Sequence, residues 1–380
     1  MRILTLCYEF PPLGGGGAKV AYGLAKALVK LGHTIDVVTM GFKGLPKQET
    51  VDGITIYRVS CIRTKQSMCY TPEMPPYILS ALPVITRLTK THQYDLNHTH
   101  FIFPDGILSN IIKMICGLPY IITAHGSDVP GYNPDRFQIQ HKILEPIWKH
   151  VVRNAEQIIC PSRSIETLVD KLNTTTSTTI IPNGISIDKF NPNLPKRNRA
   201  LIVTRMFERK GVQYLLKALE QLDHGYEIHI VGDGPYLKNL QGQVDEKNLD
   251  VKFWGFLENQ SQEIRELYET SKIFVLPSES ENFPIVLLEA MAAGMAIITT
   301  EGTGCAEVVG DAALFIRPRD SESIKDALKR LLLDPEYGSE LGKKARTRLE
   351  QYFGWGTVSQ QYSSLYQEVV ESLPPSSKIT

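Results

Sequence analysis

The sequence has no apolar run approaching the roughly 18 residues that a membrane-spanning helix needs. Its first ten residues, MRILTLCYEF, read as a strand and not as a secretion signal. An excess of one charge sign is also missing: 41 Lys and Arg balance 41 Asp and Glu. That balance gives no bulk electrostatic reason to bind nucleic acid. The cysteines Cys7, Cys61, Cys69, Cys116, Cys160 and Cys305 are scattered, with no two at metal-ligand spacing. Cys7 and Cys160 fall inside apolar strand-like runs, where a reduced thiol behaves as a small hydrophobe. Together these absences predict a chain of a reducing, cytoplasmic compartment.

What is present is ordinary in bulk and informative in order. The 380 residues, 42% hydrophobic and 22% charged, suffice for two cores of normal size. Residues 1–195 hold 19 Lys and Arg against 14 Asp and Glu, a net of +5 that the remainder offsets with −5. Short β-branched runs alternate with helix-length periodic segments throughout. Strands are predicted at 2–7, 34–39, 94–99, 119–124, 157–160 and 178–181, with a helix over 18–32 that spaces Val20, Leu24, Ala27, Leu28 and Leu31 along one face and ends at Gly32. After a breaker-rich segment at 182–199, read as a linker, the pattern restarts: strands at 200–205, 226–232, 251–254, 273–276 and 296–300, a helix at 211–222, and a terminal helix at 355–373. Alternation of this kind predicts an α/β fold of two doubly wound, Rossmann-like domains with parallel sheets, facing across a cleft. The expected domains are 1–190, 191–354 and the 355–373 helix.

Candidate sites fall where strands end. In PSESENFPIVLLEAMAAGMAIITT (277–300), Glu281 lies in the loop after a strand and Pro284 suits the first turn of the next helix. Free N–H groups at such a helix start bind phosphate. Glu289 lies inside that helix among apolar neighbours, where an unpaired carboxylate would cost several kcal/mol. It could accept hydrogen bonds from ligand hydroxyls, or it could be structural, held by backbone or by a lysine. In VTRMFERKG, Arg205 ends a strand and Lys210 opens the next helix, on the same sheet edge, as a forked and a point-charge phosphate donor. Each taken singly could equally be a solvated surface charge.

In PPLGGGGAKV, four consecutive glycines, Gly14–Gly17, separate a strand from a helix. They could let backbone approach a ligand, or could be a loose connector. The spacing fails the dinucleotide fingerprint because Lys19 stands at its third glycine position, and VGDGP (231–235) fails likewise, which argues against an oxidoreductase. His125 and Asp128 in ITAHGSDVPGYNP follow another strand, in a catalytic or merely structural place. The pair His98 and His100 in NHTHF lacks a carboxylate partner and makes a poor metal site.

In this order and at these separations, the glycine-rich loop, TAHGSD, IPNGISIDKF, VTRMFERKG, VGDGP and ESENFPIVLLEAMAAG resemble the retaining glycosyltransferases of the GT-B fold, family 4. The resemblance spans almost the whole chain. Its specific part is Glu281 and Glu289, eight positions apart, with Arg205 and Lys210 some 80 residues earlier. It implies a first domain that binds the acceptor and a second that binds a nucleotide-diphosphate sugar, with the terminal helix returning to the first domain. Glu289 would take the ribose hydroxyls and Glu281 the transferred sugar. Arg205 and Lys210, with the helix start at Asn282, Phe283, Pro284 and Ile285, would stabilise the departing phosphate. Gly16, Gly17 and His125 would meet the donor from the first domain.

No metal cofactor is implied, since these groups already balance the diphosphate. Asn282-Phe283-Pro284 stands where many relatives have Gly-Phe-Gly, and Pro284 removes one potential N–H donor. The expected acceptor is a glycan or a lipid-linked cell-envelope intermediate. A GT-B nucleotide-sugar epimerase and a non-catalytic sugar-nucleotide-binding protein stay open as alternatives. The basic amphipathic segment 141–156 is either a peripheral contact to the inner face of the cytoplasmic membrane or an ordinary core helix with a solvated face.

Overall fold

The structure is a computed structural model that describes residues 1–66, 68–132, 138–172, 175–223, 225–259 and 261–373. The chain forms two compact units. One is Met1–Gly184 together with the chain from Trp355 onward, and the other is Ile185–Gly354.

In the first unit the strands are β1 (Arg2–Leu6), β2 (Thr34–Met40), β3 (Gln48–Val51), β4 (Ile54–Val59), β5 (Leu96–His100), β6 (Tyr120–Thr123), β7 (Gln157–Cys160) and β8 (Thr178–Ile180). Their order across the sheet is β3-β4-β2-β1-β5-β6-β7-β8. All pairings are parallel except that of β3 with β4. The second unit has β9 (Arg197–Val203), β10 (Glu227–Val231), β11 (Val251–Phe253), β12 (Ser271–Leu276), β13 (Ala296–Thr300) and β14 (Leu314–Ile316), in the parallel order β11-β10-β9-β12-β13-β14. Helices α1 (Gly16–Lys30), α2 (Met74–Thr91), α3 (Asp105–Cys116), α4 (Gln138–Arg153) and α5 (Arg163–Asp170) cover the first sheet. The second carries α6 (Val212–Leu219), α7 (Leu237–Lys247), α8 (Gln262–Thr270), α9 (Ile285–Ala292), α10 (Gly304–Val309), α11 (Ser321–Leu333) and α12 (Pro335–Tyr352). Finally α13 (Trp355–Ser372) packs beside α1 in the first unit.

The apolar runs follow from burial on both sheet faces. Along β12, Ile273 and Val275 enter one core and Phe274 and Leu276 the other, as the two-residue period of a strand requires. Each sheet also reverses its winding once, between β1 and β5 and between β9 and β12. Open α/β sheets bind ligands outside the carboxyl ends of the strands at such a reversal. The glycine-rich loop leaves β1, the loop of Arg205 and Lys210 leaves β9 and that of Glu281 leaves β12, whereas His125 follows β6, the neighbour of β5.

Several expectations shift. The β3–β4 hairpin was not foreseen, although its Asp52-Gly53 turn, with φ of 50° and 80°, is the strongest short hairpin signal a sequence carries. The segment 182–199 is not wholly a linker. Arg197 begins β9, and the buried Arg199 pairs with Glu227 at 2.7 Å. The units part at 184/185, where a boundary at 190/191 was expected. Ile185 donates its N–H to the Phe353 carbonyl at 2.8 Å and bridges Gly354, so 185–190 is fastened to the second unit. Pro284 precedes α9 as its cap and is not inside its first turn. In α4, part of the amphipathic segment 141–156, Trp148, Val151 and Val152 are core residues. Among the described residues no helix is long and apolar enough to cross a membrane.

The terminal helix is fastened by polar groups as well as by packing. His98 on β5 shares hydrogen bonds with Thr123 Oγ1 at 2.8 Å and, through Nδ1, with the Tyr366 hydroxyl of α13 at 2.7 Å. Burial lowers the His98 pKa to about 3, so the folded chain holds it neutral. The unfolded chain protonates it near pH 6.5. The stability it contributes is therefore complete above about 6.5 and is lost as pH falls toward 3. Urea unfolding should show wild type losing up to about 1.4 kcal/mol more per pH unit between pH 6 and 4 than a His98→Asn variant. Parallel pH dependences would mean that His98 charges within the folded chain.

Candidate active site

In the second unit two loops meet at the winding reversal: residues 204–211 after β9 and 277–284 after β12. They are stitched by backbone, since Glu279 donates its N–H to the Arg209 carbonyl at 2.9 Å. Lys210, at the end of a 3-10 turn (Glu208–Lys210), forms an ion pair with Glu281. Both side chains are about a tenth exposed, at 9% and 10%. Arg205 is exposed, its guanidinium 5.6 Å above the Phe207 ring.

The VGDGP segment lies against the first of these loops. Met206 donates its N–H to the Asp233 carbonyl at 3.0 Å, an approach that only glycine permits at 232, where a Cβ would come within 1.8 Å of the Thr204 carbonyl. The second loop rests on α10. Gly304 donates its N–H to the Glu281 carbonyl at 3.0 Å, and a Cβ there would stand 1.5 Å from the Asn282 carbonyl oxygen. Asn282, Phe283 and Pro284 are buried, Ile285 starts α9, and no side chain caps its first turn. Ser278 Oγ and Thr300 Oγ1 nearby are buried and have no hydrogen-bond partner among the described residues.

Glu289 is 2% exposed and has three hydrogen-bonding partners. It pairs with Lys189, accepts from Asn259 Nδ2 at 3.1 Å, and accepts from the Tyr268 hydroxyl at 2.9 Å. Three donors, one of them cationic, satisfy a carboxylate that would otherwise be prohibitive to bury. The structural alternative drawn from the sequence, a lysine partner, is thus present. Lys189, Asn259 and Tyr268 were not singled out from the sequence. Lys189 stands in IPNGISIDKF, inside the segment read as a linker, and nothing local ties Asn259 or Tyr268 to Glu289.

In the first unit Gly16 and Gly17 open α1, with Gly15 as the cap and no acidic residue in the first turn. A Cβ on Gly17 would lie 2.6 Å from Phe101 Cζ and 3.4 Å from His125 Nδ1, so the turn presses on both rings. Asp128, the companion of His125 in the sequence, takes the structural place and holds this corner. Its carboxylate accepts the backbone N–H of His125 at 3.0 Å and of Ile102 at 2.8 Å. That second bond anchors the residue after Phe101, whose φ of 75° is unusual for so bulky a side chain. Burial raises the Asp128 pKa to about 6 despite these bonds, and burial lowers that of His125 to about 3. The structure thus places Gly16, Gly17 and His125 together in one unit, and Lys210, Glu281, Asn282, Phe283, Pro284 and Ile285 in the other, with Arg205 on the same loop as Lys210.

Residues 14–189 match the family described as Glycosyltransferase Family 4, and residues 185–348 match Glycosyl transferases group 1. The chain belongs to the group 1, family 4 glycosyltransferases. It is 26% identical to the N-acetyl-alpha-D-glucosaminyl L-malate synthase of Bacillus anthracis, over 97% of each chain. Among solved structures, sucrose-phosphate synthase from Thermosynechococcus elongatus superposes with a TM-score of 0.84 at 22% identity, covering 98% of this chain and 100% of that one. An Anabaena protein solved in complex with UDP-glucose gives 0.74 at 20% identity, covering 98% and 100%. At these identities the structural likeness shows the fold, which is GT-B.

Since the loop of this glycosyltransferase rests on Gly304, a Gly304→Ala substitution forces backbone apart. It should destabilise the protein by about 1–3 kcal/mol, the range for overpacking a close contact. Denaturant unfolding with an unchanged midpoint would show that the 281–282 segment moves aside freely.

Proposed function

We propose that this glycosyltransferase moves a sugar from a nucleotide-diphosphate sugar to a glycan or lipid-linked envelope acceptor, with retention of anomeric configuration. The observation that carries the reading is the buried Lys210–Glu281 pair at the winding reversal, directly before the uncapped start of α9. A pair so placed is preorganised for exchange. An entering diphosphate takes the Lys210 ammonium, aided by Arg205 and the first N–H groups of α9. Glu281 is then released to accept hydroxyls of the transferred sugar.

As the glycosidic bond breaks, charge grows on the leaving phosphate, and these fixed donors stabilise it more strongly than they stabilise the ground state. Attack from the same face, with the leaving phosphate taking the acceptor's proton, gives retention. The buried hydroxyl of Ser278 offers a further unused donor in the same loop. A carboxylate has about four lone-pair sites. Glu289, with three donors in place, therefore keeps room for one ribose hydroxyl, or takes more as Lys189 yields. Gly16, Gly17 and His125 contact the transferred sugar. The likeness to an Anabaena structure that holds UDP-glucose supports a donor of this class.

Nucleotide release that requires acceptor, with product anomers read by NMR, tests the whole reading; release without acceptor, or inverted product, would overturn it. Lys210→Ala or Arg205→Ala should lower kcat/KM by about 100-fold or more while leaving the fold intact, and Lys210→Ala at wild-type rate would remove the phosphate assignment. Glu289→Gln should weaken binding of the nucleotide diphosphate itself. Glu281→Gln should spare that binding and reduce turnover, and titration calorimetry that finds the two alike would sink the division of roles. Dialysis against a chelator should leave activity in place, because cationic side chains and a helix start balance the diphosphate charge.

A further inference from the structure

NHTHF, which makes a poor metal site, has another use. Alternate residues of a strand face one way, and His98 and His100 on β5 lie with ring centroids 4.3 Å apart, both 1% exposed. The His100 ring in turn stacks on that of His125, 5.3 Å away at 27°, and His100 Nδ1 lies 3.1 Å from His125 Nε2, a hydrogen bond. His125 Nδ1 is the ring atom nearest the Gly17 turn.

We propose that His100 is a positioning residue for His125: by holding Nε2 it fixes the ring's orientation and tautomer, so that Nδ1 meets the transferred sugar in a single hydrogen-bonding role. Which nitrogen of an imidazole carries the proton is set by the bond that the other nitrogen makes. Without His100, the His125 ring could turn over about its Cβ–Cγ bond, replacing Nδ1 with a carbon, or could populate both tautomers. All three rings are kept uncharged by burial, so the His100–His125 contact is one neutral donor against one neutral acceptor. Behind His100 the support is rigid. His98 is locked between Thr123 Oγ1 and the Tyr366 hydroxyl, so the alignment of His125 reaches back to α13.

The inference rests on the reading that His125 touches the transferred sugar, and the test separates the two. On the full-length protein, His100→Phe keeps the ring and removes the nitrogen. His100→Asn returns an amide near the Nδ1 position, and His100→Gln reaches only the Nε2 position. His100→Phe and His100→Gln should lower kcat about tenfold or more with donor Kd within about twofold, while His100→Asn recovers to within about threefold of wild type. Proton–nitrogen correlation spectra of histidine-labelled protein should show one His125 tautomer in wild type and in His100→Asn, and a mixture in His100→Phe. If His100→Phe does not fold, the contrast of Asn with Gln carries the same test.

Equal effects of all three substitutions, or a His125 tautomer indifferent to them, would overturn the positioning role. His125→Ala is the control. If it turns over like wild type, the sugar contact falls, and His100 with it as an aid to turnover. If it is inactive while His100→Phe is not, only the present inference falls.

Discussion

A lysine ammonium and a glutamate carboxylate, each nine-tenths withdrawn from water, meet at the carboxyl edge of the second sheet. Such a pair contributes little to stability by itself, because desolvation offsets most of its attraction. It persists because the backbone leaves neither charge elsewhere to go. The 204–211 loop is pinned to Asp233, the 277–284 loop is bonded to Arg209, and Gly304 lies directly beneath Asn282. From this constraint follow the shape of the second loop, the direction in which α9 starts, and the depth at which Glu289 is buried one turn later. In the proposed reaction, a ligand that neutralises Lys210 would release a carboxylate already in place. The arrangement suits transfer chemistry, in which the stabilising charges must be set before the bond breaks.

The first unit meets a similar constraint with neutral groups. Its winding reversal carries stacked imidazoles in place of ions, and these rings are held uncharged by the same burial that would penalise a cation. Polar groups inside a core are tolerable when each finds a partner, and here the partners come from β6, the His125 loop and α13. The C-terminal helix therefore does more than close the unit. Through Tyr366 it hydrogen-bonds His98, whose ring lies against that of His100, the partner of His125.

Much of this was legible in the chain. Strand positions followed from β-branched runs, and the edge on which Arg205, Lys210 and Glu281 meet followed from where those runs end, because a loop after a parallel strand emerges at the ligand-binding edge. The hairpin at 48–59 was also written in the sequence, in Asp52-Gly53. The 184/185 boundary was not legible. Nothing local to Ile185 says that its backbone bonds to Phe353, far along the chain. Nor could the sequence say that Lys189, in a stretch rich in turn residues, closes on a glutamate 100 positions away.

The sequence by itself determined the alternation of strand and helix, the family, and which charged residues stand at strand ends. These depend on periodicity, turn chemistry and spacing, all of them properties of neighbours in the chain. The tertiary structure alone decided which partners those charges take: Glu281 with Lys210, Glu289 with Lys189, Asn259 and Tyr268, His100 with His125. A buried polar group must be satisfied by whatever the fold brings within about 3 Å of it. That neighbour is chosen by the packing of both sheet faces and not by any position in the sequence.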